Sequence, residues 1–230
     1  RNLMMGAQYV HDHVMHFYHL HALDWVDIES ALDANPIDTA SLQRSLSDWP
    51  HNSAEYFGGV KQKLKTFIES GQLGLFNNAY WGHPAYRFPP HVNLLFFAHY
   101  LEVLEWQREV INIHAIFGGK NPHPNMVVGG MACAISTKGK RKPNQNSHAP
   151  FGGFTAVAWD GLNTVSRSIS QMQTLVDQLF IPDTLLLAKY YKDFSLKDSG
   201  LNDWTQIGEG LGNFMTFGDF PLSGATQGSG

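Results

Sequence analysis

Histidine is concentrated in one short stretch near the start of the chain. Five of the 12 histidines lie within residues 11–21, which read HDHVMHFYHLH. On a helix, His13, His16 and His19 advance by about 300° per step, so they drift slowly around one face. Imidazoles at this spacing can ligate a metal together with carboxylates from neighbouring helices. They can equally be hydrogen-bonded core groups, or groups that orient a nearby site. The residues alone favour the core interpretation and leave the other two open.

Asp12, between the first two of these histidines, is the second residue with chemical potential. A carboxylate flanked by imidazoles on a helix with almost no other charge must pair with a donor or stay protonated. A local salt bridge or a charge at a helix end accounts for it as well as a functional role does. We therefore expect a partner for Asp12, without the residue type defining its task.

A second candidate segment, residues 118–125, reads GGKNPHPN. Its Gly-Gly-Lys lacks the glycine and Lys-Ser/Thr spacing of a phosphate-binding loop. His123 stands between two prolines that stiffen the backbone on both sides, which suits a side chain at an interface, although a plain turn is the default. We interpret Cys133 as a small apolar residue and the basic cluster at 138–142 as a solvated loop tip.

The composition excludes several classes of function. There are 16 Lys and Arg against 20 Asp and Glu, a net charge of −4, so no global field attracts nucleic acid or an anionic membrane. No apolar run of about 18 residues exists to span a bilayer. A single cysteine excludes internal disulfides, a zinc site of several thiolates and an iron–sulfur cluster bound by this chain alone. Many aromatic residues (13%) with few charged ones (16%) predict a surface partly covered by a partner.

Apolar periodicity predicts a mainly α fold, and 230 residues are enough for one substantial domain or two small ones. We predict helices over residues 3–23, 54–70, 90–118, 163–180 and 183–191, with Ser53 or Asn52 and Asp183 as N-caps. Pro36 is expected to end a short helix that reaches Leu32. Short strands are predicted near residues 126–128, 132–135 and 214–220, and residues 136–158 form one long loop. Because the sequence starts without Met and ends in a Gly/Ser-rich stretch, we interpret it as part of a longer protein.

Long runs of this sequence resemble the large, catalytic subunit of nickel–iron hydrogenases, in particular its respiratory hydrogen-uptake branch. The runs are RNLM and GAQYVHDH at the start, HFY at 16–18, LDWVD at 23–27, AHYLE at 98–102, LEWQRE at 104–109, IHAIFGGKNPHP at 113–124, VGGMAC at 128–133, GNF at 212–214 and FGDF at 217–220. They are distributed along the chain, and the resemblance extends over most of it.

The resemblance implies a mainly α fold with a helix-bundle core and reversible oxidation of H2 to two protons and two electrons. It also implies a nickel–iron centre whose iron carries carbon monoxide and cyanide, a small subunit with iron–sulfur clusters, a membrane cytochrome in the complex, and a place on the periplasmic side of the cell membrane. The family holds its metals with two Cys-x-x-Cys pairs, and this sequence has neither. Cys133 matches the medial Gly-Gly-Met-x-Cys segment, which is not a ligand. The chain is thus expected to be an internal portion of the subunit and inactive alone.

Two residue roles carry over from the resemblance. Asp12 matches the aspartate that pairs with an arginine from the C-terminal part of the subunit, whose guanidinium overhangs the metals. His123 matches a histidine at the contact with the small subunit, close to an iron–sulfur cluster. The family assigns no ligand role to the histidines of residues 11–21.

Two alternatives stay open at this point. One is a self-contained helical metalloprotein that uses histidines of the first helix with glutamates of the 90–118 helix, namely His13, His16, His19, Glu102, Glu105 and Glu109. The other is a non-catalytic relative of the hydrogenases kept as an interaction subunit.

Overall fold

A computed structural model describes residues 2–71, 80–123 and 159–191 of the chain. Within these ranges the chain is helical and contains no strand, which confirms the mainly α prediction. The helices are α1 (Asn2–Met15), α2 (Ala22–Trp25), α3 (Pro36–Leu46), α4 (Ala54–Glu69), α5 (Pro90–Gly118), α6 (Trp159–Leu175) and α7 (Ile181–Tyr191). None of them is long and apolar enough to cross a membrane. The predicted strands, the 136–158 loop with its basic cluster, and Cys133 lie outside the described residues.

The first helix runs as predicted, with one irregularity. A π-helical turn, His16–His21, joins α1 to α2, so the chain stays helical until Trp25. Val26 then adopts an extended backbone with φ −106° and ψ 117°, which ends the helix where the sequence predicts a break. In place of the predicted short helix, the chain forms a single 3₁₀ turn, Ser30–Asp33.

Helix α3 corrects the interpretation of Pro36. We expected this proline to end a helix, but it is the first residue of one. The side chain of Asn35 accepts a hydrogen bond from the Ile37 backbone N–H at 3.0 Å and caps the helix. Proline is favoured in the first helical turn, since its missing N–H has no intrahelical partner there and its φ is already helical.

The termini of α4 and α5 follow the predicted signals. Ser53 caps α4 by accepting from the Tyr56 backbone N–H at 3.1 Å. Helix α5 begins at Pro90 and ends before Gly119, whose φ of +77° is a left-handed conformation that glycine adopts without steric cost.

Helix α5 is the axis of the described fold. Its first half (residues 92–100) packs into one apolar cluster with α3, α4 and α7, and its second half (residues 103–117) packs into another with α1 and α6. Residues 92–100 are buried without a break, which suits their nearly continuous apolar sequence, whereas the second half keeps an exposed face at Glu105, Arg108 and Glu109.

The last helical region corrects the interpretation of Asp183. We predicted a helix ending before Pro182 and a new one capped by Asp183, yet α6 continues through a π-helical turn, Val176–Phe180, into α7. The Ile181 backbone N–H bonds to the Val176 carbonyl, five residues back. Because this wider turn directly precedes Pro182, the helix accommodates the proline without ending. Asp183 is fully buried, and side chains, not helix N–H groups, contact its carboxylate.

Candidate functional site

One face of α1 packs against α5, and the opposite face is exposed in the described part of the chain. Met4, Ala7 and Val14 are buried in the cluster around the second half of α5. On the opposite face, Tyr9 is 41% exposed, and Asp12 and His13 are exposed as well. Among the residues that the structure describes, only one face of α1 is therefore covered.

Asp12 lies on the exposed face, with its side chain 59% exposed. The Gln8 side-chain amide, one helical turn earlier, donates to Asp12 Oδ1 at 2.6 Å. Nδ1 of the neighbouring His11 lies 3.5 Å from the same oxygen. The expected partners of the carboxylate are therefore present, both on its own helix, and its exposure also gives it access to water.

The histidines of residues 11–21 divide into satisfied and exposed side chains. His19 is part-buried, with Nε2 3.1 Å from the Tyr100 carbonyl oxygen of α5. His13 is exposed, and its Nδ1 lies 2.8 Å from the Tyr9 carbonyl oxygen. The exposed His16 and His21 rings contact edge to face at 4.4 Å. The core interpretation therefore holds for His19 and is wrong for the three exposed residues.

Burial also shifts the pKa values of His11 and His19 away from that of a free imidazole. Burial lowers the pKa of His11, and the hydrogen bond and charge of Asp12 oppose this effect only in part. Burial likewise lowers the pKa of His19, against the opposing effect of the Tyr100 carbonyl. Both rings favour their neutral form at neutral pH.

The self-contained metalloprotein does not fit this geometry. The described residues include all six side chains that it requires, and they contain no group of three or more His, Cys, Asp or Glu that could hold a metal ion. The Glu102 carboxylate already contacts Tyr56 of α4 and His51, which precedes that helix. Glu105 pairs with Arg108 at 2.9 Å on the surface. This alternative is therefore not supported.

His123 lies just beyond α5, on an exposed turn. Its φ of +57° is a left-handed conformation. Among non-glycine residues, histidine adopts this conformation more often than most, as Asn and Asp do. Two residues earlier, Asn121 Oδ1 lies 3.2 Å from Nδ1 of the buried His114. Nε2 of His114 lies 3.2 Å from the Met4 carbonyl oxygen, so this imidazole joins the turn before His123 to the start of α1.

A buried polar network, which was not predicted from the sequence, joins four segments of the chain. The Tyr18 hydroxyl donates to Asp183 Oδ2 at 2.6 Å, and His99 Nδ1 lies 2.7 Å from the same oxygen. On the other side of the ring, His99 Nε2 lies 2.7 Å from Gln43 Oε1. The Gln43 amide nitrogen donates to Ser47 Oγ at 2.9 Å, which directs its oxygen towards His99.

Both ring nitrogens of His99 thus face side-chain oxygens, and the charged form of the ring would donate to both. Burial by itself lowers the pKa of His99, but the charge and hydrogen bond of Asp183 outweigh it, and the net pKa is raised. Burial, reinforced by Asp183, raises the pKa of Tyr18 well above its usual value. These shifts favour the charged form of His99 beside the Asp183 carboxylate and the neutral, donating form of Tyr18.

Glu102 of α5 is the centre of a second, more peripheral polar cluster. Its carboxylate accepts from the Trp49 indole N–H and, at 2.6 Å, from the Tyr56 hydroxyl. Nδ1 of the half-exposed His51 lies 3.1 Å from it. Burial and this carboxylate raise the pKa of Tyr56.

The sequence signal that could have revealed the buried network is a polar residue within an apolar run. His99 stands within the apolar run of α5, and Asp183 follows Ile-Pro and precedes three leucines after Thr184. Such residues must find partners in the core. His99 and Asp183 contact each other although they lie 84 residues apart along the chain, and periodicity cannot show such a pairing.

Comparison with known proteins gives this arrangement its context. The sequence profile of the nickel-dependent hydrogenases matches residues 1–229. The chain belongs to this family. Among relatives of this hydrogenase chain, the uptake hydrogenase large subunit of Rhizobium leguminosarum bv. viciae is 46% identical over 221 residues. The hydrogenase-1 large chain of Escherichia coli (strain K12) is 44% identical over 223 residues. Each alignment covers 96% of this chain and 34% of the relative, so the chain spans about a third of the length of these relatives.

The described residues do not fit a nickel site of their own. They include no metal-holding group, and the one cysteine of the hydrogenase chain, Cys133, lies outside them. What they do present is a framework: an exposed carboxylate at Asp12, a turn that carries His123, and the buried contacts that fix both to α5.

Proposed function

We propose that this chain is an internal portion of the catalytic subunit of an uptake hydrogenase, which oxidises H2 to two protons and two electrons. The observation that carries the proposal is the 42–46% identity, across 96% of the chain, to proteins named as uptake hydrogenase large subunits in three organisms: Rhizobium leguminosarum bv. viciae, Rhodobacter capsulatus and Cupriavidus necator. The electrons would pass to a small subunit with iron–sulfur clusters. A membrane cytochrome and a position on the periplasmic side of the cell membrane complete the proposal.

In this proposal the helices described here belong to a helix-bundle core that surrounds the nickel–iron centre. That centre, with carbon monoxide and cyanide on its iron, would be held by two Cys-x-x-Cys pairs that this sequence does not include. The chain's own contribution is therefore positional: it supplies the scaffold, and its 230 residues alone are expected to be inactive.

Asp12 is the residue with the clearest task in this scaffold. Its carboxylate is exposed, and Gln8 holds one of its oxygens from the same helix. The second oxygen is free to orient a cation, and we propose an arginine from the part of the subunit beyond this chain. A fixed carboxylate positions such a guanidinium and tunes proton affinity beside a reacting centre.

His123 is proposed to lie at the small-subunit contact, close to an iron–sulfur cluster. Its support is the exposed turn after α5, which presents the side chain away from the described core. The link from Asn121 through His114 to α1 gives this turn a fixed base.

The activity is tested on the full-length subunit assembled with its small subunit, by dye-coupled H2 oxidation and metal analysis. Asp12→Asn removes the charge and keeps the shape, so we expect turnover to fall roughly ten- to hundredfold with nickel content near that of the wild type. Asp24→Asn, an exposed aspartate near the end of the same helix, is the matched control. A wild-type complex with nickel but without H2 oxidation would overturn the proposed function, and unchanged turnover in Asp12→Asn would remove only the role of Asp12.

The role of His123 is tested by separating electron exit from chemistry at the metals. We expect His123→Ala to lower dye-coupled H2 oxidation more than the exchange of hydrogen for deuterium, because exchange requires no electron to leave through the small subunit. His83→Ala, at another exposed histidine on a turn, is the control. Equal losses in the two assays would count against a place on the electron path.

A further inference from the structure

The two π-helical turns of the described chain meet each other. The Phe17 ring, in the turn His16–His21, contacts the Phe180 ring, in the turn Val176–Phe180, edge to face at 5.3 Å. Beside this contact, the Tyr18 hydroxyl reaches Asp183 at 2.6 Å. Single π turns within α-helices are rare and occur often at functional sites.

The turn at His16–His21 determines how Asp12 is oriented. A π turn contains more residues than an α turn, so the residues before it face a different direction, relative to those after it, than in a regular helix. Asp12 lies four residues before the turn and Tyr18 lies inside it. Moving or removing the turn would rotate the Asp12 carboxylate relative to everything that Tyr18 contacts.

Two buried polar contacts hold this helix at its ends. At the start, His114 Nε2 lies 3.2 Å from the Met4 carbonyl oxygen. In the π turn, Tyr18 is fully buried and donates to Asp183. Between them the helix packs through apolar side chains, whose attraction is not directional. At the end nearer to Asp12, the directional restraint therefore comes from the fully buried Tyr18 hydrogen bond, beside the part-buried contact of His19 Nε2 with the Tyr100 carbonyl oxygen at 3.1 Å.

Asp183 is itself held from a third helix. Oδ2 accepts from Tyr18 and also lies 2.7 Å from Nδ1 of His99, and both residues of that ion pair are only 1% exposed. Gln43 contacts the far nitrogen of the His99 ring at 2.7 Å. The acceptor of the Tyr18 hydroxyl is thus fixed by α5 and α3, not by a flexible surface side chain.

We propose that Tyr18 is a positioning residue for Asp12: the Tyr18–Asp183 hydrogen bond keeps the π turn in place and so holds the Asp12 carboxylate in the direction that hydrogen oxidation requires. This inference rests on the proposed function and adds to it residues that have no contact with the metals. It predicts that Tyr18 affects turnover only through Asp12.

The test uses the full-length subunit assembled with its iron–sulfur partner, in four variants: Tyr18→Phe, Asp12→Asn, the double variant, and Tyr56→Phe as the matched control. Tyr56 also donates to a carboxylate, Glu102, at 2.6 Å, but from α4. We expect Tyr18→Phe to lower kcat for H2 about tenfold, since a small misplacement of a supporting group slows the reaction without removing it. KM for H2 and nickel content should not change, and Tyr56→Phe should stay within about twofold of the wild type.

The double variant decides whether Tyr18 works through Asp12. If it does, the double variant is as slow as Asp12→Asn alone. Once the Asp12 carboxylate has been removed, the loss of the residue that positions it lowers turnover no further. Two losses that multiply would overturn the proposal. So would wild-type turnover in Tyr18→Phe, or a loss in Tyr18→Phe while Asp12→Asn keeps full turnover.

A second variant and a second measurement make the test independent of folding yield and of activity. Asp183→Asn keeps the shape and one acceptor but removes the charge, and we expect the same non-additivity with Asp12→Asn. Backbone hydrogen exchange over residues 11–18 should be faster in Tyr18→Phe than in Tyr56→Phe, and equal exchange would overturn the proposal. A wild-type complex that does not oxidise H2 would overturn the proposed function instead, and the exchange rates would still show whether Tyr18 holds the turn.

Discussion

Two histidine–aspartate pairs in this chain have similar chemistry and opposite surroundings. At the end of the histidine-rich helix, His21 Nδ1 lies 3.0 Å from Asp24 Oδ2, with side chains 49% and 63% exposed. In the core, His99 Nδ1 lies 2.7 Å from Asp183 Oδ2, with both side chains 1% exposed. The first pair spans one helical turn, and the second joins residues 84 positions apart.

The difference shows that the density of histidines does not indicate where they matter for the fold. The first helix is rich in histidines, yet most of them contact only their own helix or one neighbouring ring. Helix α5 has two deeply buried ones, His99 and His114, and each uses both ring nitrogens to join other segments. An isolated polar residue in an apolar helix must find partners, and those partners define the packing.

The largest expected effect separates these two pairs directly. Asp183→Ala leaves the buried His99 without its carboxylate and Tyr18 without its acceptor, so we expect a loss of about 3–5 kcal/mol in the free energy of unfolding. Asp24→Ala, in the exposed pair, should cost less than about 1 kcal/mol. Thermal and urea unfolding of the two variants would check this, and similar losses in both would contradict the distinction.

A smaller effect is expected for single histidines from the two helices. His114→Ala creates a cavity and removes the link between Met4 and Asn121, which should cost about 2–4 kcal/mol. His16→Ala, which changes an exposed ring, should stay within about 0.5 kcal/mol of the wild type. The same unfolding measurements apply. An equally large loss in His16→Ala would show that the exposed ring contacts contribute to stability.

The smallest effects concern pH, and they have opposite signs in the two regions. The raised pKa of His99 means that its pair stabilises the fold fully below pH 6.5, and that this contribution is lost as pH rises through the folded-state pKa. The lowered pKa of His19 favours the fold above pH 6.5, and this contribution is lost as pH falls through its folded-state pKa.

Unfolding free energies measured between about pH 5 and pH 9 would reveal both contributions. We expect His99→Gln to reduce the loss of stability on the alkaline side, and His19→Gln to reduce the loss on the acid side. An unchanged pH profile in His99→Gln would show that the buried ring is not charged in the folded chain.

Much of the fold could be predicted because its helix ends carry local signals. Ser53 caps α4, Pro90 opens α5, and Gly119 ends it in a left-handed conformation, each within a few residues of where the sequence indicates. The lack of proline in residues 3–23 likewise predicts one long helix. These signals act between neighbouring residues, so the sequence shows them directly.

Both errors at proline came from features that depend on context. Pro36 begins a helix because Asn35 caps it, and Pro182 lies inside one because a π turn precedes it. The partners of His99 and Asp183 come from distant segments, which no local pattern indicates. The site followed the same rule: the exposed pairing of Asp12 involves its neighbours Gln8 and His11, whereas the network that holds Tyr18 depends on the tertiary fold.

Helix α5 belongs to both apolar clusters, with residues 92–100 in one and 103–117 in the other. A single continuous helix thus contributes to both clusters. Along this helix the two clusters are adjacent, one ending at Tyr100 and the other beginning at Val103. Because both clusters include residues of α5, disruption of the middle of this helix would weaken the packing of both. We therefore expect the cluster that holds the helix of Asp12 and the cluster around His99 to unfold together.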